Sequence, residues 1–494
     1  MNPFKKLASQ TAIYGLPTII GRLLNYFLVP IYTRVFIPEE YGVVTVMYAY
    51  VSFLIIVLTY GMETALFNFS TKHENKEKVY STILSSVGIT SVLFIAVLSV
   101  FSQPIASLIQ CPVHPEYIVW FALILGMDAV SSIAFAKLRE QNKAKTFALI
   151  KTLNIAVNIF FNLFFIIYCK KAYDANSDSW VSSIYSPEIG IGYIFISNVI
   201  ASAVTLLVQL PSVIRTRFSL DGSLLKTILP YALPLLVAGL AGMTNETMDR
   251  ILLQYLLPSN IALEQVGIYG ACYKISIIMT MFIQTFRFAA EPFFFSHAKE
   301  MDAKKVYARV MDYFVIICMI IFLGTMMNIS WIQYFVGKDF RSGMDVVPIL
   351  LLANFSLGVF FNLSIWYKLT AQTKWGAYLT IFGAIITLIG NFIFIPMYGY
   401  MASAWVTLVC YAGMMAVSYV IGNKYYPVNY DLKRILGYPA LALLLFALSK
   451  KLEIGSKVFD LTVKNSLLLF FVIIVFIFER NNLLGHKNAS QDHQ

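Results

Sequence analysis

Fourteen long apolar segments limit what this chain can fold into. Each has about 20 mostly apolar residues, the length that an α-helix needs to cross a bilayer. They lie at residues 9–33, 41–66, 79–102, 116–137, 146–169, 189–211, 227–249, 266–290, 309–335, 346–367, 375–396, 399–421, 432–449 and 459–478. Charged residues make up only 13% of the chain, against about 25% in soluble domains. We therefore predict an all-α integral membrane protein with about fourteen transmembrane helices.

The positive charges orient these helices. The chain has 37 Lys and Arg against 26 Asp and Glu, a formal net charge of +11. With the first residue in the cytoplasm, 23 of the 37 cations fall in predicted cytoplasmic segments, 9 in outer segments and 5 within the spans. Because cytoplasmic loops collect Lys and Arg, this distribution predicts that both termini are cytoplasmic. It also explains the net charge without a nucleic-acid partner.

Two pairs of short motifs indicate an internal repeat. Residues 14–17 (Tyr-Gly-Leu-Pro) are matched 217 positions later by residues 231–234 (Tyr-Ala-Leu-Pro). Residues 41–48, which begin Tyr-Gly and end in Tyr, are matched 225 positions later by residues 266–273, which begin Val-Gly and end in Tyr. The matches keep the same order at nearly the same offset. They predict two related lobes of six helices each.

The repeat also predicts the domain organisation. An N-lobe occupies residues 1–215, a C-lobe residues 216–423, and two further helices with a cytoplasmic tail residues 424–494. Since six is an even number, both lobes enter the membrane in the same direction, which makes the repeat parallel. Transporters place sites where Pro or Gly interrupts a helix. Pro17 and Pro234 are expected to be such helix breaks, although residues of this kind can also merely kink a packed helix.

Ionisable residues within the spans are the main candidate site residues. A charge at mid-membrane costs roughly 2.5–3.5 kcal/mol on insertion scales, so it is a functional candidate by default. The predicted substrate-binding residues are Arg22, Lys274, Arg287, Asn25 and Tyr26. The residues predicted to act in gating or ion coupling are Asp128, Glu63, Glu291, Asp249 and Arg250. We expect no cofactor and no metal, since no His or Cys cluster has the spacing of a metal site and no P-loop is present.

Structural roles compete with these functional ones. Arg287 and Glu291 are four positions apart and can pair with each other on one helix face. Asp128 can serve as the counter-ion of the arginine in the first span. Glu63 and Lys151 can reach the membrane interface. The Tyr and Asn side chains suit sugar contacts, but aromatic belts at the membrane surface give the same pattern.

Several motifs carry a family resemblance. They are Gly21-Arg22-Leu23-Leu24-Asn25, Pro30-Ile31-Tyr32-Thr33-Arg34, Pro38-Glu39-Glu40-Tyr41-Gly42, Asp249-Arg250 and Val266-Gly267-Ile268-Tyr269-Gly270-Ala271-Cys272-Tyr273-Lys274. With its spans, paired lobes and short loops, the chain resembles the multidrug/oligosaccharidyl-lipid/polysaccharide (MOP) exporters, and within them the Wzx-type oligosaccharide flippases. The resemblance covers nearly the whole chain. It implies a MATE-like fold and the flipping of a lipid-linked oligosaccharide, an O-antigen or capsule/exopolysaccharide precursor, across a bacterial inner membrane.

An anionic headgroup fits the cations in the spans. A polyprenyl diphosphate carries about two negative charges, and guanidinium groups bind phosphate oxygens bidentately. Arg22 and the cations of the eighth span are therefore expected to hold the diphosphate. Outward movement of two negative charges gains about 4–5 kcal/mol per 100 mV of inside-negative potential. Coupling to H⁺ or Na⁺ is an open alternative. Membrane lipids and other membrane proteins of polysaccharide assembly are the further partners implied.

Three other functions compete with this interpretation. A lipid II flippase would bind its substrate by the same phosphate chemistry. A multidrug or cation antiporter needs an acid-dominated cavity, whereas Lys and Arg outnumber acids within these spans. A membrane polysaccharide polymerase, ligase or glycosyltransferase typically needs catalytic acids on a sizeable outer loop, and Glu39-Glu40 is the only acidic pair in the first outer loop. We therefore predict a transporter rather than an enzyme.

Overall fold

Helices form the regular structure of the part of the chain that the structure describes. In the computed structural model, the described residues are 21, 23–176, 180–216, 218–298, 300–452 and 456–489. Their α-helices are α1 (Val29–Val35), α2 (Pro38–Thr59), α3 (Met62–Lys72), α4 (Lys76–Val100), α5 (Ser102–Leu108), α6 (Glu116–Glu140), α7 (Ala144–Leu163), α8 (Lys170–Ala175), α9 (Gly192–Ile214), α10 (Gly222–Leu256), α11 (Ser259–His297), α12 (Ala303–Met327), α13 (Ile329–Ile332), α14 (Val346–Leu363), α15 (Ile365–Leu369), α16 (Lys374–Tyr398), α17 (Tyr400–Tyr425), α18 (Leu432–Lys451) and α19 (Lys457–Ala489). A π-helical turn, Phe164–Cys169, joins α7 to α8, and 3-10 helices occupy Trp180–Ser183, Pro187–Ile189, Gln333–Phe335 and Lys338–Gly343.

Within the described residues, thirteen helical segments are long and apolar enough to cross a membrane. Three of these segments combine neighbouring helices: α2 with α3, α7 with α8, and α14 with α15. The first predicted span, 9–33, falls mainly outside the described residues. The other predicted spans appear in the expected order. The predicted fold class, an all-α membrane protein with about fourteen spans, is confirmed.

The ninth span is displaced from its prediction. The apolar pattern predicts residues 309–335, whereas α12 runs from Ala303 to Met327. Asn328 follows the last residue of this helix, and its side chain donates hydrogen bonds to the carbonyl oxygen of Gly324 at 2.9 Å and to Asn465 Oδ1 at 3.2 Å. Apolar residues continue beyond this helix end in short turns, so hydropathy alone does not reveal where the helix stops.

Proline does not interrupt the long helix α10. Pro230 and Pro234 both lie inside this helix, which runs unbroken from Gly222 to Leu256. The prediction that Pro234 breaks the helix is therefore wrong. A proline removes one backbone donor, and membrane helices tolerate that loss where neighbouring groups satisfy the freed carbonyl. Pro17, the other predicted break, lies outside the described residues.

The chain forms two compact units. Unit 1 consists of the chain up to Gly270 together with Ala384–Ser403, and unit 2 of Ala271–Gly383 together with the chain from Ala404 onward. In unit 1, α6 packs against α4 and α9, and α10 lies along α2. In unit 2, α12 packs against α14, α18 and α19. The lobe boundaries at residues 215 and 423 stay a prediction.

An apolar core holds the helices of unit 1 together. Met62, Ile83, Ile133 and Ile228 are fully buried in it, and they come from α3, α4, α6 and α10. Lipid tails are as apolar as these side chains, so close packing rather than exclusion from water stabilises such contacts within a bilayer. The core gives the polar side chains of unit 1 a rigid frame.

Two glycines bring α2 and α11 into backbone contact in unit 1. A Cβ atom on Gly42 would overlap the carbonyl oxygen of Leu263, and a Cβ atom on Gly267 would overlap the carbonyl oxygen of Pro38. Positions 42 and 267 are 225 residues apart, and so are positions 38 and 263. The contact therefore maps onto itself when the two halves of the repeat are exchanged. A parallel repeat related by a two-fold axis predicts this symmetry.

Neighbouring side chains extend the same symmetry. A Cβ atom on Gly270 would lie 2.6 Å from Thr45 Oγ1, and these positions are again 225 residues apart. Glu40 accepts a backbone N–H at the start of α2 at 3.2 Å. Its counterpart at the same offset, Gln265, accepts the backbone N–H of Tyr400 at 3.1 Å. The short motif found in the sequence is thus a structural contact.

Candidate functional site

A column of polar side chains runs through unit 1. Asn154, Asn158 and Asn162 follow one another on α7 at steps of four residues, which places them on one helix face. Asn162 donates to Asn158 Oδ1 at 2.9 Å and accepts from the Tyr32 hydroxyl at 2.7 Å. Asn154 donates to Thr205 Oγ1 of α9 at 2.8 Å. These amides satisfy one another where lipid offers no hydrogen bonds.

Helix α9 supplies the other side of this column. Asn198, Ser202, Thr205 and Gln209 are spaced by four, three and four residues and share one face. Asn198 donates to the hydroxyl of Tyr48 on α2. Both amide atoms of Gln209 are buried and have no hydrogen-bond partner among the described residues. The Gln209 end of the column therefore keeps unused hydrogen-bonding capacity.

Asp128 and Lys151 are the charged groups of the column. Ser202 donates a hydrogen bond to the Asp128 carboxylate, and Lys151 supplies an attractive charge near it. The Lys151 ammonium lies 4.4 Å from the ring centroid of Phe135. The predicted counter-ion of Asp128, Arg22, lies outside the described residues. Lys151 is thus a partner of Asp128, and the charges of Glu63 and Arg139 also act on it. The interface role considered for Lys151 stays a prediction.

Lys151→Met is expected to lower the free energy of unfolding by up to about 3 kcal/mol. This is the upper end of the interaction energies measured between residues in contact. The substitution keeps the side-chain length but leaves the Asp128 carboxylate without its nearby positive charge. The double variant Lys151→Met/Asp128→Asn should recover most of the loss. Thermal unfolding in detergent measures both effects. Additive losses in the double variant would show that the two charges do not interact.

Glu63 pairs with Arg139 of α6. The guanidinium Nη2 lies 2.8 Å from Glu63 Oε2, and the Arg139 guanidinium also lies 5.2 Å from the ring centroid of Phe67. Both charged side chains are more than one-third exposed. Such a pair stabilises a protein by only about 0–1 kcal/mol. The pair therefore adds little to the stability of the fold, and the gating role of Glu63 stays a prediction.

Three more ion pairs lie near the same ends of α4 and α6. They are Lys76–Glu140 at 2.8 Å, Lys137–Glu77 at 3.0 Å and Lys78–Asp221 at 2.5 Å. Lys78 and the hydroxyl of Ser223 donate hydrogen bonds to the Asp221 carboxylate and hold its pKa well below its usual range. Asp221 is therefore charged at neutral pH, when it also accepts the first N–H groups of α10.

Asp249 and Arg250, predicted to gate or cap, are buried in unit 1 at 4% and 8% exposure. The Tyr269 hydroxyl donates to Asp249 Oδ2 at 2.6 Å, and Arg250 Nη1 lies 3.3 Å from Asp249 Oδ1. The same guanidinium nitrogen donates to the carbonyl oxygen of Glu246. The two charges are thus neutralised within one hydrogen-bonded group. Their gating role stays a prediction.

A second group of amides lies near these charges along α10, α16 and α17. Thr387 donates to Asn245 Oδ1 at 3.4 Å, and Ser403 donates to Asn391 Oδ1 at 2.9 Å. All four residues belong to unit 1 and are buried. The Thr387–Asn245 hydrogen bond connects the segment Ala384–Ser403 of unit 1 to the long helix α10, and the Ser403–Asn391 hydrogen bond joins α17 to α16 within that segment.

The predicted sugar-contact residues lie at the edge of the polar column. Asn25 is exposed, and its Oδ1 accepts a hydrogen bond from Asn158 Nδ2 at 3.4 Å. Tyr26 is half-buried, and its ring meets Phe27 edge-on with centroids 5.9 Å apart. Arg22, predicted to bind the diphosphate beside them, lies outside the described residues.

In unit 2, Arg287 stacks on an aromatic ring. Its guanidinium carbon lies 3.8 Å from the ring centroid of Phe361. Glu291 makes its close ion pair with Lys368 of α15 at 2.7 Å, and its charge also acts on Arg287. The contact expected between Arg287 and Glu291 is thus replaced by one with Lys368. The buried Asn362 amide nitrogen beside them has no hydrogen-bond partner among the described residues. The cavity here measures about 20 Å³, too little for a diphosphate in this conformation.

Lys274, the other predicted phosphate ligand, is half-buried on the part of α11 that belongs to unit 2. Its role as a phosphate ligand stays a prediction. Across the described ranges, no three His, Cys, Asp or Glu side chains converge closely enough to hold a metal ion.

Asn154, Asn158 and Asn162 of the column are not among the predicted site residues. Most of the predicted residues are ionisable, whereas amides are neutral. The signal was nevertheless present, because Asn154, Asn158 and Asn162 recur at helical spacing within one apolar segment. Polar groups in the membrane favour protein neighbours over lipid. A search for any polar residue repeating every three or four positions would have found both sides of the column.

A family model agrees with this architecture. The model of the polysaccharide biosynthesis protein family matches residues 7–297, which is more than half of the chain. The chain belongs to this family. The succinoglycan biosynthesis transport protein ExoT of Rhizobium meliloti (strain 1021) is 28% identical over 138 residues, 28% of this chain and 26% of ExoT. The chain thus matches about a quarter of the length of that curated relative.

Solved structures show the fold that this member of the polysaccharide biosynthesis protein family adopts. The lipid II flippase MurJ in an inward closed conformation aligns with a TM-score of 0.71 and 13% identity, covering 95% of this chain and 99% of MurJ. An inward-facing multidrug resistance MATE family transporter of the MOP superfamily aligns with a TM-score of 0.65 and 13% identity, covering 84% and 97%. At this identity they establish the fold alone. The family model confirms the expected membership of a polysaccharide-synthesis family, and the solved structures confirm the expected MATE-like fold.

Proposed function

We propose that the protein moves a polyprenyl-diphosphate-linked oligosaccharide repeat unit from the cytoplasmic to the outer leaflet by alternating access. Membership of the polysaccharide biosynthesis protein family over residues 7–297 carries this proposal. The MOP exporter fold supports it, since a two-lobed repeat suits alternating access. The substrate we propose is an O-antigen or capsule/exopolysaccharide precursor, and a relative named for succinoglycan transport favours a polysaccharide precursor.

We place the protein in a bacterial inner membrane with both termini in the cytoplasm. The distribution of Lys and Arg, 23 in the inner segments against 9 in the outer ones, supports this orientation. Under it, the ends of α4 and α6 that carry the Lys76–Glu140 and Lys137–Glu77 ion pairs are cytoplasmic. The crossing of α2 and α11 at Gly42 is then at the outer side.

The diphosphate is proposed to bind the cations of α11, with Arg287 as the leading residue. A guanidinium presents a planar fork of donors that matches two phosphate oxygens, and it binds while stacked on an aromatic ring. Arg287 already has that stacking partner in Phe361. Lys274 is proposed as a second point charge on the same helix. Arg22 keeps its proposed role as a diphosphate ligand on the strength of its sequence position.

Asn25 and Tyr26 are proposed to contact the sugar. An amide offers both donors and acceptors to hydroxyl groups, and an aromatic ring offers an apolar face. The exposure of Asn25 supports this role, because a substrate can reach it. Its hydrogen bond with Asn158 at 3.4 Å is long and therefore weak enough to be exchanged.

The carboxylates predicted to couple ions each have a nearby cation of their own unit. Glu63 pairs with Arg139, Glu291 with Lys368, and Asp249 with Arg250, while Lys151 lies near Asp128. A coupling Na⁺ or H⁺ would have to displace the attraction of a Lys or Arg at each carboxylate. This favours ion pairs that open and close during transport, with the membrane potential as the driving force. Coupling to H⁺ or Na⁺ through Asp128 is the second possibility.

Lipid II flipping and drug/cation antiport are the competing transport functions. Ligand binding to the full chain in nanodiscs distinguishes these functions. The three probes are a polyprenyl-diphosphate oligosaccharide, lipid II and ethidium. A ligand that binds the folded state raises the unfolding temperature. We expect the largest rise with the polyprenyl-diphosphate oligosaccharide. A larger rise with lipid II would assign the lipid II function, and a rise with ethidium alone would assign the antiporter function.

The enzyme alternative is tested in the same preparation. A polymerase or glycosyltransferase would lengthen or release the glycan of the bound lipid, whereas a transporter leaves it chemically unchanged. Mass spectrometry of the recovered lipid should show the original mass. A lengthened or released glycan would contradict the proposed function.

A further inference from the structure

A cavity of about 460 Å³ opens in unit 1 between the ends of α3, α4 and α6. Its volume falls within the range of small-molecule binding sites, about 300–1,000 Å³. It is lined mainly by polar and charged side chains, including Lys76, Lys137, Lys143, Glu77, Glu140 and Tyr80. These residues are separate from the cations of α11 and from the asparagine column.

The three lysines differ in how they are paired. Lys76 pairs with Glu140 at 2.8 Å and Lys137 pairs with Glu77 at 3.0 Å. Among the described residues Lys143 is exposed, and its ammonium has no ion pair. Three ammonium groups thus surround two carboxylates. The lining keeps one positive charge in excess, which favours an anionic ligand.

The buried hydroxyl of Tyr80 also indicates a ligand, independently of these charges. Its side chain is only 2% exposed, and its hydroxyl has no hydrogen-bond partner within the described residues. The Lys137 ammonium lies 3.9 Å from its ring centroid. A buried hydroxyl without a partner has lost its hydrogen bonds to water and gained none in return, which is unfavourable. A ligand that reaches this hydroxyl from the cavity removes that cost.

We propose that this cavity binds a sugar phosphate. The ammonium groups of Lys76, Lys137 and Lys143 hold the phosphate, as lysine point charges do in other phosphate sites. Glu77 and Glu140 accept hydrogen bonds from sugar hydroxyls. Inorganic phosphate has no sugar hydroxyls to donate to these two carboxylates. The mixed lining therefore selects a phosphorylated sugar over inorganic phosphate. The choice of a sugar rests on the proposed function, and the ligand is either a soluble sugar phosphate or the headgroup of the lipid-linked glycan.

Calorimetric titration of the full chain in nanodiscs tests the site, with glucose 1-phosphate and inorganic phosphate as soluble probes. A second arm uses nanodiscs that contain a polyprenyl-diphosphate glucose. We expect saturable binding of at least one sugar-bearing probe, and at least tenfold weaker binding of inorganic phosphate. Binding of glucose 1-phosphate assigns a soluble ligand, whereas binding of the lipid-linked sugar alone assigns the headgroup. Absence of binding by both sugar probes overturns the proposal.

Two variants and a control locate the binding. Lys143→Ala removes the lysine without an ion pair, and Tyr80→Phe removes only the hydroxyl. We expect binding to weaken about tenfold in the first and several-fold in the second. Lys145→Ala, which removes an exposed lysine that does not line the cavity, should bind as the wild type does. Equal binding by all three variants overturns the assignment to this cavity.

The two proposals fail in different ways. If the wild-type cavity binds sugar phosphate but no lipid changes leaflet, the proposed transport function is wrong. The assignment of the cavity as a sugar-phosphate site is then retained. If lipids change leaflet while Lys143→Ala and Tyr80→Phe bind the sugar probes as the wild type does, the assignment of the cavity is wrong. The proposed transport function is then retained.

Discussion

Gly42→Ala is expected to lower the free energy of unfolding by about 3 kcal/mol, the upper end of what overpacking costs. The added Cβ atom would overlap the carbonyl oxygen of Leu263 on α11. A backbone carbonyl in a helix cannot rotate away as a side chain does, so the two helices must move apart. Gly267→Ala should cost a similar amount, because its Cβ atom overlaps the carbonyl oxygen of Pro38. Thermal unfolding in detergent measures both losses.

Gly88→Ala is the matched control. Gly88 also lies inside an apolar helix, α4, but a Cβ atom there would have no heavy atom within 4 Å. Alanine is the better helix former, so this variant should be neutral or stabilised by up to about 1 kcal/mol. Equal unfolding temperatures for Gly42→Ala and Gly88→Ala would contradict the close crossing of α2 and α11.

Arg287→Ala is expected to slow the leaflet exchange of the lipid-linked oligosaccharide at least tenfold. A hydrogen bond to a charged group contributes about 1.5–3 kcal/mol, and 1.4 kcal/mol corresponds to a factor of ten. Arg287→Lys keeps the charge but loses the planar fork and much of the stacking on Phe361. It should fall between wild type and Arg287→Ala. The rate is measured with a fluorescent lipid in proteoliposomes.

The control for Arg287 is Lys374→Ala. Lys374 is exposed at the start of α16, so the variant removes one positive charge without disturbing a stacked or paired group. Its exchange rate should equal that of wild type. If both variants slow exchange to the same extent, net charge rather than a phosphate contact at Arg287 is responsible.

Much of the helical architecture could be predicted because the bilayer imposes a single length on every span. The predicted spans therefore match the described helices, and the error at α12 arises where apolar residues continue beyond Asn328. The repeat could also be predicted from Gly42 and Gly267. These two glycines are 225 residues apart. The residues that they contact, Leu263 and Pro38, are separated by the same number.

The partners of the charged side chains could not be predicted in the same way. A sequence shows that Arg287 and Glu291 are one turn apart, but it does not show that Lys368, 77 residues beyond Glu291, lies closer to that carboxylate. Pairing between distant helices depends on rotation about each helix axis. The same limit applies to Lys151, whose position near Asp128 depends on how α7 packs against its neighbours.

The paired carboxylates bear on the driving force for transport. Two negative charges that move outward gain about 4–5 kcal/mol per 100 mV of inside-negative potential. If the carboxylates bind no H⁺ or Na⁺ while these ion pairs open and close, no ion gradient is needed and the potential alone accelerates export. Ion pairs such as Glu63–Arg139, with both side chains partly exposed, can break and re-form at little cost.

Leaflet exchange in proteoliposomes tests whether the protein moves a lipid-linked oligosaccharide across the bilayer. The full chain is reconstituted with a fluorescent polyprenyl-diphosphate oligosaccharide, and the fraction of lipid in each leaflet is followed with and without an inside-negative potential. We expect protein-dependent exchange that accelerates with the potential and is lost in Arg22→Ala. No exchange of this lipid, together with saturable uptake of ethidium by the same vesicles, would contradict it.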